Sequence, residues 1–378
     1  KRLPITLVNE AVTTPFVWQN AHYTAVLSPD GQLLLDGQSM GRLLVWAEAG
    51  DTYSAQKGEL LGELRPSAPP IIAQKSAQHC EITISAAWQN ESANVKADIR
   101  LIFDHSPLLR WQVDLDSRGT DLRVEMAFAT GLPGDIAAGM PFDVVSRAPV
   151  DDDLLPRQLP ADLQKVLIGQ RELGCVTDFP FHDFIAVTNG ERSTAVLAKG
   201  LHAYAATSSG DLSLIVRRSV EWLTKADLPD RIGDAGPFFY VPDARCERPV
   251  RHEVAVAVGA FTPDSMALQQ LNAAYQTPPL IARKQSAGNR RAWPLLQESL
   301  PLSSLSVRDG RILARLYNPT TAVQPLAHSY RQTDVWGSPV GWRMAVAPKH
   351  IVTLQLPHTL PPVVAGGGQP VTWRNRPA

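Results

Sequence analysis

A few polar residues at the ends of apolar segments have side chains suited to carbohydrate binding. Asp51 and Tyr53 lie in a polar, Gly-flanked stretch, and Arg147 follows a short apolar segment. Carboxylate, phenol and guanidinium groups hydrogen-bond vicinal hydroxyls, and aromatic rings offer an apolar surface. Four further residues could contact a carbohydrate in the same way: Asp178, Phe181, His182 and Trp222. Each of these residues, taken alone, is better explained as a loop anchor or a member of a surface ion pair.

The sequence lacks the motifs of metal-dependent and of nucleophilic catalysis. The nine histidines form no HxH, HxxxH or HxD pair. The neighbours Asp104-His105 and His182-Asp183 would point to opposite faces of a strand and could not share a metal ion. The chain has no GxSxG sequence and no Cys/His pairing typical of a nucleophile with its base. We therefore expect no catalytic residue and no metal ligand in this chain.

Charge and composition exclude further classes of protein. The 36 basic and 37 acidic residues give a net charge of −1 without a polybasic block, which argues against nucleic-acid or membrane-surface binding. There is no apolar run of the roughly 18–20 residues that span a bilayer. Three widely spaced cysteines (Cys80, Cys175 and Cys246) argue against a disulfide framework. They predict buried, reduced thiols in a cytoplasmic protein.

Strand patterns dominate the chain. Ser-Pro-Asp-Gly at 28–31 predicts a hairpin turn, since proline presets one turn residue and glycine accepts a positive φ. Residues 80–88, 95–103, 109–115 and 122–128 alternate between apolar and polar types. Alternation with a period of two indicates strands with one buried face. Three of these segments follow one another closely, which predicts an antiparallel meander.

The remaining segments divide the chain. Residues 131–180 are rich in Pro and Asp and predict long loops with little regular structure. A helix near 262–277 is expected, with Thr262 as N-cap and Pro263 in the first helical position. We expect a large β-sandwich domain over 1–285, a linker over 286–299, and a small C-terminal β-domain over 300–378 with a loose tail.

Several segments, read in order, resemble the C-terminal half of glycoside hydrolase family 38, the zinc-dependent α-mannosidases, in its bacterial branch. GDTY at 50–53 resembles a GDxY segment of the family, and MPFDVVSRAP at 140–149 resembles the stretch that carries its arginine. Further similar segments lie at 20–42, 179–204, 211–223, 314–326 and 350–356. The resemblance is collinear over nearly the whole chain.

The resemblance implies a fold and a function. The fold would be mostly β: a large antiparallel β-supersandwich, similar to galactose mutarotase, followed by a small β-sandwich domain. The chain would be the C-terminal fragment of a retaining α-mannosidase-like glycosidase. Zinc and the aspartate nucleophile would belong to an N-terminal catalytic barrel, so the fragment would be inactive alone and would hold no cofactor. The start at Lys1 without a methionine agrees with a processed protein or a piece of a longer one.

The same resemblance implies the partners and the site residues. The partners would be the N-terminal catalytic domain of the same protein and a mannoside or related carbohydrate. Tyr53 and Arg147 match the positions that reach the edge of the sugar site, and Asp51 is the acid of the same GDTY segment. Two alternatives remain: a free-standing enzyme similar to aldose epimerases, which needs a His/Glu pair over the anomeric carbon, and a non-catalytic carbohydrate-binding module.

Overall fold

The computed structural model describes residues 6–148, 178–228, 234–277 and 300–356. These residues fall into two compact units, which divide between residues 280 and 281. The boundaries predicted at 285 and 299, and Cys175 with them, lie outside the described residues.

The described part of the large unit is built from strands. They are β1 (Thr6–Ala11), β2 (Phe16–Gln19), β3 (Thr24–Leu27), β4 (Leu33–Leu35), β5 (Gln38–Glu48), β6 (Lys57–Glu63), β7 (Arg65–Pro66), β8 (Ile71–Lys75), β9 (His79–Gln89), β10 (Asn94–Asp104), β11 (Leu109–Arg118), β12 (Leu122–Phe128), β13 (Asp135–Met140), β14 (Asp143–Arg147), β15 (Asp178–Pro180), β16 (Phe184–Thr188), β17 (Ser193–Lys199), β18 (Ala203–Ala206), β19 (Leu212–Ser219) and β20 (Val250–Gly259).

Two antiparallel sheets enclose the core of this unit. Over the described ranges, one sheet has eleven strands in the order β1-β8-β9-β10-β11-β20-β17-β16-β13-β14, with β7 beside β9. The other has nine, in the order β15-β18-β19-β12-β5-β4-β3-β2, with β6 beside β5. The mostly β class and the large antiparallel supersandwich predicted from the sequence are confirmed.

The alternating segments form the strands that fill the space between the sheets. Val95 and Leu101 on β10 are buried, as is Trp111 on β11. Trp111 meets Phe128 on β12 edge to face across the core, with ring centroids 6.1 Å apart. Because successive side chains of a strand point to opposite faces, each strand gives only alternate residues to this core. The core therefore follows directly from the period-two pattern of the sequence.

The helix begins later than predicted. Helix α1 spans Met266–Gln276, and its N-cap is Ser265, whose side chain accepts a hydrogen bond from the Leu268 amide. Thr262 instead donates its hydroxyl hydrogen to Asp264, and the Ser265 amide bonds to the Thr262 carbonyl in a turn. Both Thr and Ser suit an N-cap. Here Thr262 belongs to the turn at 262–265, so the predictions of Thr262 as N-cap and of Pro263 as the first helical residue are wrong.

The stretch from 131 to 148 is more regular than its composition indicates. β13 pairs with β14 and with β16 at the end of the eleven-stranded sheet. Ile136 and Ala138 are buried there. The sequence prediction of little regular structure is wrong for this part, because four of the six residues of β13 are Asp, Ala or Gly, which have little strand preference. Residues 149–177 lie outside the described residues.

The small unit contains one antiparallel sheet among residues 300–356. Its strands are β21 (Leu302–Arg308), β22 (Arg311–Asn318), β23 (Gln324–Thr333), β24 (Pro339–Val346) and β25 (His350–Gln355), in the order β21-β22-β25-β23-β24. Asn318 is fully buried, and its side chain donates to the carbonyls of Ala322, Val346 and Ala347. These bonds fasten the loop after β22 to the end of β24.

Candidate functional site

Asp51 closes the loop that joins β5 to β6. It is 0% exposed. One carboxylate oxygen accepts the backbone amides of Tyr53 at 2.9 Å and Ser54 at 2.8 Å, and the other accepts the amide of Lys225 at 2.8 Å. A buried carboxylate that accepts three amide bonds holds its loop in one conformation. Asp51 therefore anchors the segment that carries Tyr53.

A second layer of charged groups lies beneath this loop. Glu48, at the end of β5, accepts the amide of Gly50 and the guanidinium of Arg218, both at 3.0 Å. Arg218 also donates to the carbonyl oxygens of Asp51 at 2.8 Å and Ser54 at 3.1 Å. A Cβ at Gly50 would overlap the Ser54 carbonyl oxygen and the Glu48 carboxylate. The loop is this tight only because residue 50 is glycine.

Tyr53 projects from the loop and is 53% exposed. Its ring lies against the backbone at Gly236, where an added Cβ would come 2.9 Å from the phenol oxygen. The preceding Thr52 donates its amide to the Trp222 carbonyl at 3.2 Å and its hydroxyl to the Leu223 carbonyl at 2.7 Å. The phenol thus has a fixed position beside the segment that follows β19.

That segment presents three aromatic rings, called here the aromatic platform: Trp222, Phe238 and Tyr240. Trp222 and Tyr240 form an antiparallel bridge, with ring centroids 5.3 Å apart. Phe238 stacks on Trp222 at 4.6 Å with an interplanar angle of 18°. Beside them is a cleft of ≈ 400 Å³, lined by Ala49, Trp222, Lys225, Asp227, Leu228 and Phe238.

Arg147 ends β14 and reaches β15. Its guanidinium donates to the Pro180 carbonyl oxygen at 2.7 Å and lies 5.7 Å from the centroid of the Phe179 ring. It also lies near Tyr204, whose pKa is raised by burial and lowered to a smaller extent by the nearby Arg147 guanidinium. Arg147 remains partly exposed.

Arg123 connects β15 to the strands beneath the Tyr53 loop. It is fully buried, and its guanidinium donates a hydrogen bond to each carboxylate oxygen of Asp178, one of them at 2.6 Å. It also bonds to Glu125 and lies 4.0 Å from Glu48. Burial lowers the pKa of Arg123, but the hydrogen bond and charge of Asp178, together with the charges of Glu125 and Glu48, outweigh it and the net pKa is raised. The guanidinium therefore stays charged.

Asp51 and Tyr53 thus share one loop, and Arg147 is linked to that loop through buried charges. Glu48 supports the loop and faces Arg123. Arg123 holds Asp178 at the start of β15, and Arg147 bonds to Pro180 at its end. Buried charge pairs with this many hydrogen bonds are costly to break, so the network fixes both segments relative to the nine-stranded sheet.

The other candidate residues from the sequence make contacts that stabilise the fold. Asp178 is the ion-pair partner of Arg123. Phe181 is buried, with its ring edge-on to Tyr204 at 6.0 Å. His182 is exposed and stacks on His202 at 6.2 Å. In the described part of the chain, no group of three or more His, Cys, Asp or Glu residues is arranged to hold a metal ion.

Two further observations concern the broad class of the protein. None of the described helices is both long enough and apolar enough to cross a membrane. Cys80 is a buried free thiol, and burial raises its pKa to about 11. Cys246 is a free thiol but is exposed, so the prediction of buried thiols is wrong for that residue, which follows a short 3-10 helix at the surface.

Sequence reasoning missed Arg123, Arg218, Phe238 and Tyr240. Arg123 and Glu125 occupy the polar positions of an alternating strand, and such positions usually face solvent. The run Pro-Phe-Phe-Tyr at 237–240 was a visible signal, since three successive large aromatic residues in a polar segment are rarely incidental.

Two solved structures are similar in fold over most of the chain. One is an α-mannosidase from Enterococcus faecalis V583, with a TM-score of 0.67 and 14% identity over 93% of this chain and 43% of that protein. The other is a protein in glycosyl hydrolase family 38 from Enterococcus faecalis, with a TM-score of 0.69 and 14% identity over 93% and 44%. The chain therefore has a fold like that of family 38 proteins and spans less than half of their length.

The other comparisons are weaker. A galactose mutarotase related enzyme from Lactobacillus acidophilus aligns with a TM-score of only 0.30 at 7% identity, which is too low to bear on fold or function. No protein-family profile matches the sequence, and no curated protein sequence matches it.

Proposed function

We propose that this chain is the C-terminal part of a retaining α-mannosidase-like glycosidase. It would pack against an N-terminal zinc-dependent catalytic domain of the same protein and complete its sugar site. The observation that carries the proposal is the fold similarity over 93% of the chain to an α-mannosidase of which it covers 43%. The collinear sequence segments and the exposed, fixed position of Tyr53 support it.

In this proposal Tyr53 contacts the substrate. Its phenol hydroxyl would hydrogen-bond a sugar hydroxyl while the ring packs against the sugar face. Asp51 would act through Tyr53, because its buried carboxylate accepts the Tyr53 amide. It is then a positioning residue, and the direct contact belongs to the phenol.

Arg147 would supply the second contact. Its guanidinium keeps donors beyond the one bound to the Pro180 carbonyl. A planar cation of this kind suits paired hydroxyl oxygens or a phosphate group. Its link through β15 and Arg123 would hold it in register with the Tyr53 loop.

The bond-breaking chemistry would lie outside this chain. We base the assignment of zinc and the carboxylate nucleophile to the catalytic domain on the resemblance of the sequence to glycoside hydrolase family 38. When bound, zinc would hold vicinal hydroxyls of the sugar, and retention requires a covalent glycosyl intermediate on a carboxylate.

We also propose that the protein is cytoplasmic, in keeping with its free thiols Cys80 and Cys246. Cell fractionation tests this, and detection of the protein in an exported fraction would contradict it.

The proposal is tested with the chain and with the complete reading frame that contains it. Both are assayed on 4-nitrophenyl α-mannopyranoside with added Zn²⁺. We expect turnover by the longer protein and none by the chain alone. We also expect an HxD motif and an aspartate nucleophile among the residues encoded before Lys1. Turnover by residues 1–378 alone, or a longer protein without α-glycosidase activity, would overturn the proposal.

Variants of the longer protein test the two contacts. Tyr53→Phe should lower kcat/KM about three- to tenfold, and Arg147→Ala about ten- to a hundredfold, as expected for a neutral and a charged hydrogen bond to substrate. Arg251→Ala is the control, because it removes an exposed ion pair with Asp114. Unchanged kinetics in both site variants would show that neither residue contacts the substrate.

Mutarotation of glucose by the chain would instead favour the alternative of an enzyme similar to aldose epimerases.

A further inference from the structure

The aromatic platform is rigid although much of it is exposed. Phe238 is 59% and Tyr240 51% exposed. The ribbon beneath them is fixed by backbone bonds from Leu223 to Phe239 at 2.9 Å and from Val241 to Glu221 at 2.8 Å. Rings held in place before a ligand arrives lose little entropy on binding, which favours a recognition role.

The platform is also clamped at its outer edge. Arg245 donates to the Tyr240 hydroxyl at 2.7 Å and to the carboxylate of Glu221, with its Nε at 2.9 Å. These bonds fix the tilt of the Tyr240 ring relative to Trp222. The exposed rings and their fixed geometry together mark this surface as a candidate binding site.

Polar groups border the rings on the side of the cleft. Asp227 is an exposed carboxylate in its wall, and Lys225 donates to the Ala49 carbonyl at 3.0 Å in the same wall. The volume of ≈ 400 Å³ lies within the range of about 300–1,000 Å³ typical of small-molecule sites. The exposed Phe238 ring, stacked on Trp222, lies beside a charged rim. This arrangement suits a pyranose ring, which has an apolar face and a hydroxylated edge.

The platform adjoins Tyr53. The Tyr53 ring lies on Gly236, two residues before Phe238, and Thr52 is bonded to the carbonyls of Trp222 and Leu223. The phenol and the platform therefore belong to neighbouring segments, close enough for one ligand of two sugar rings.

We propose that Trp222, Phe238 and Tyr240 form a second sugar subsite, which stacks the pyranose ring next to the one that Tyr53 contacts. The inference rests on the proposed function in taking the ligand as a glycoside. It adds that the substrate has at least two sugar rings, and that the platform selects longer glycosides over monosaccharide derivatives. Asp227 would accept hydroxyl hydrogens at the edge of the second ring.

Binding is tested first on the chain of 378 residues. Saturation-transfer NMR is recorded with α-linked mannobiose and with methyl α-mannopyranoside, both at millimolar concentration. We expect transfer to both rings of mannobiose, and about tenfold weaker binding in Phe238→Ala, since one aromatic contact is worth up to about 1.5 kcal/mol beyond its buried area. Trp342→Ala is the matched control, because Trp342 is an exposed ring of the small unit.

Kinetics of the longer protein separate this inference from the proposed function. Phe238→Ala should raise KM for an α-mannobioside about tenfold and leave KM for methyl α-mannopyranoside unchanged, because its methyl group is too small to reach the platform, whereas Tyr53→Phe should affect both substrates. If the longer protein is an α-mannosidase but Phe238→Ala changes neither binding nor the ratio of KM values, the subsite is overturned and the function stands. If it hydrolyses no α-mannoside and the chain still binds mannobiose through Phe238, the subsite stands and the function falls.

Discussion

Asp51 and Tyr53 are two residues apart but lie in opposite environments. The carboxylate is enclosed by the amides of its own loop and of Lys225, whereas the phenol reaches solvent beside Gly236. The first residue fixes the backbone and the second is left available for a ligand. At this scale the GDTY motif divides into a buried half that fixes the loop and an exposed half that we propose contacts the ligand.

Asp51→Ala should destabilise the large unit. Three buried amides would lose their acceptor, and one unsatisfied buried donor costs about 1–3 kcal/mol. We expect a lower urea midpoint with an unchanged m-value, measured by tryptophan fluorescence. Glu91→Ala, at an exposed turn position, is the control. A midpoint equal to that of the control would show that water replaces the carboxylate without loss.

His252 should make stability depend on pH. Burial and the nearby guanidinium of Arg217 lower its pKa, and its buried Nε2 has no hydrogen-bond partner among the described residues. The unfolded state binds the proton more readily, so this contribution is full above the unfolded pKa of about 6.5 and is lost as the pH falls below it. The urea midpoint should therefore fall between pH 7 and pH 5, and fall less in His252→Gln. Equal slopes in the two proteins would contradict the prediction.

At the scale of elements, buried charges fasten the short strand β15 to the centre of the nine-stranded sheet. β15 has only three residues and pairs with β18. Its ends are held by side chains from other strands: Arg123 of β12 binds Asp178, and Arg147 of β14 binds Pro180. Three ladder pairs alone would leave such a strand marginal, so its position depends on the arginines.

Arg123→Ala should therefore cost far more than an exposed arginine. It would leave Asp178 and Glu125 without their buried partner, and breaking a buried pair costs about 3–5 kcal/mol. Arg251→Ala removes an equally bidentate pair with Asp114, but both partners are largely exposed, and about 0–1 kcal/mol is expected. Urea unfolding of the two variants measures the difference. Similar losses would mean that the Arg123 network is hydrated.

At the scale of the whole molecule, the sequence predicts the sheets better than the site. Period-two alternation places β9 to β12 and their buried faces, because each core residue is identified by its immediate neighbours. The burial of Arg123 depends on distant strands such as β15, and local pattern carries no information on it. The same limit hides Ser265 as the cap of α1, since the turn before it decides between two suitable residues.

The large unit should fold without the small one. Both sheets, the core between them and helix α1 lie within residues 6–277, so a chain ending at residue 277 keeps every described element of the unit. We expect it to unfold cooperatively and to retain its near-ultraviolet circular dichroism.

A chain ending at residue 249 is the control: it lacks β20, which pairs with both β11 and β17 in the middle of the eleven-stranded sheet. That chain should bind a hydrophobic dye and show no cooperative transition, because β11 and β17 would each lose one of their two neighbouring strands and expose core residues. Dye binding by the 277-residue chain as well would show that the unit needs residues beyond α1.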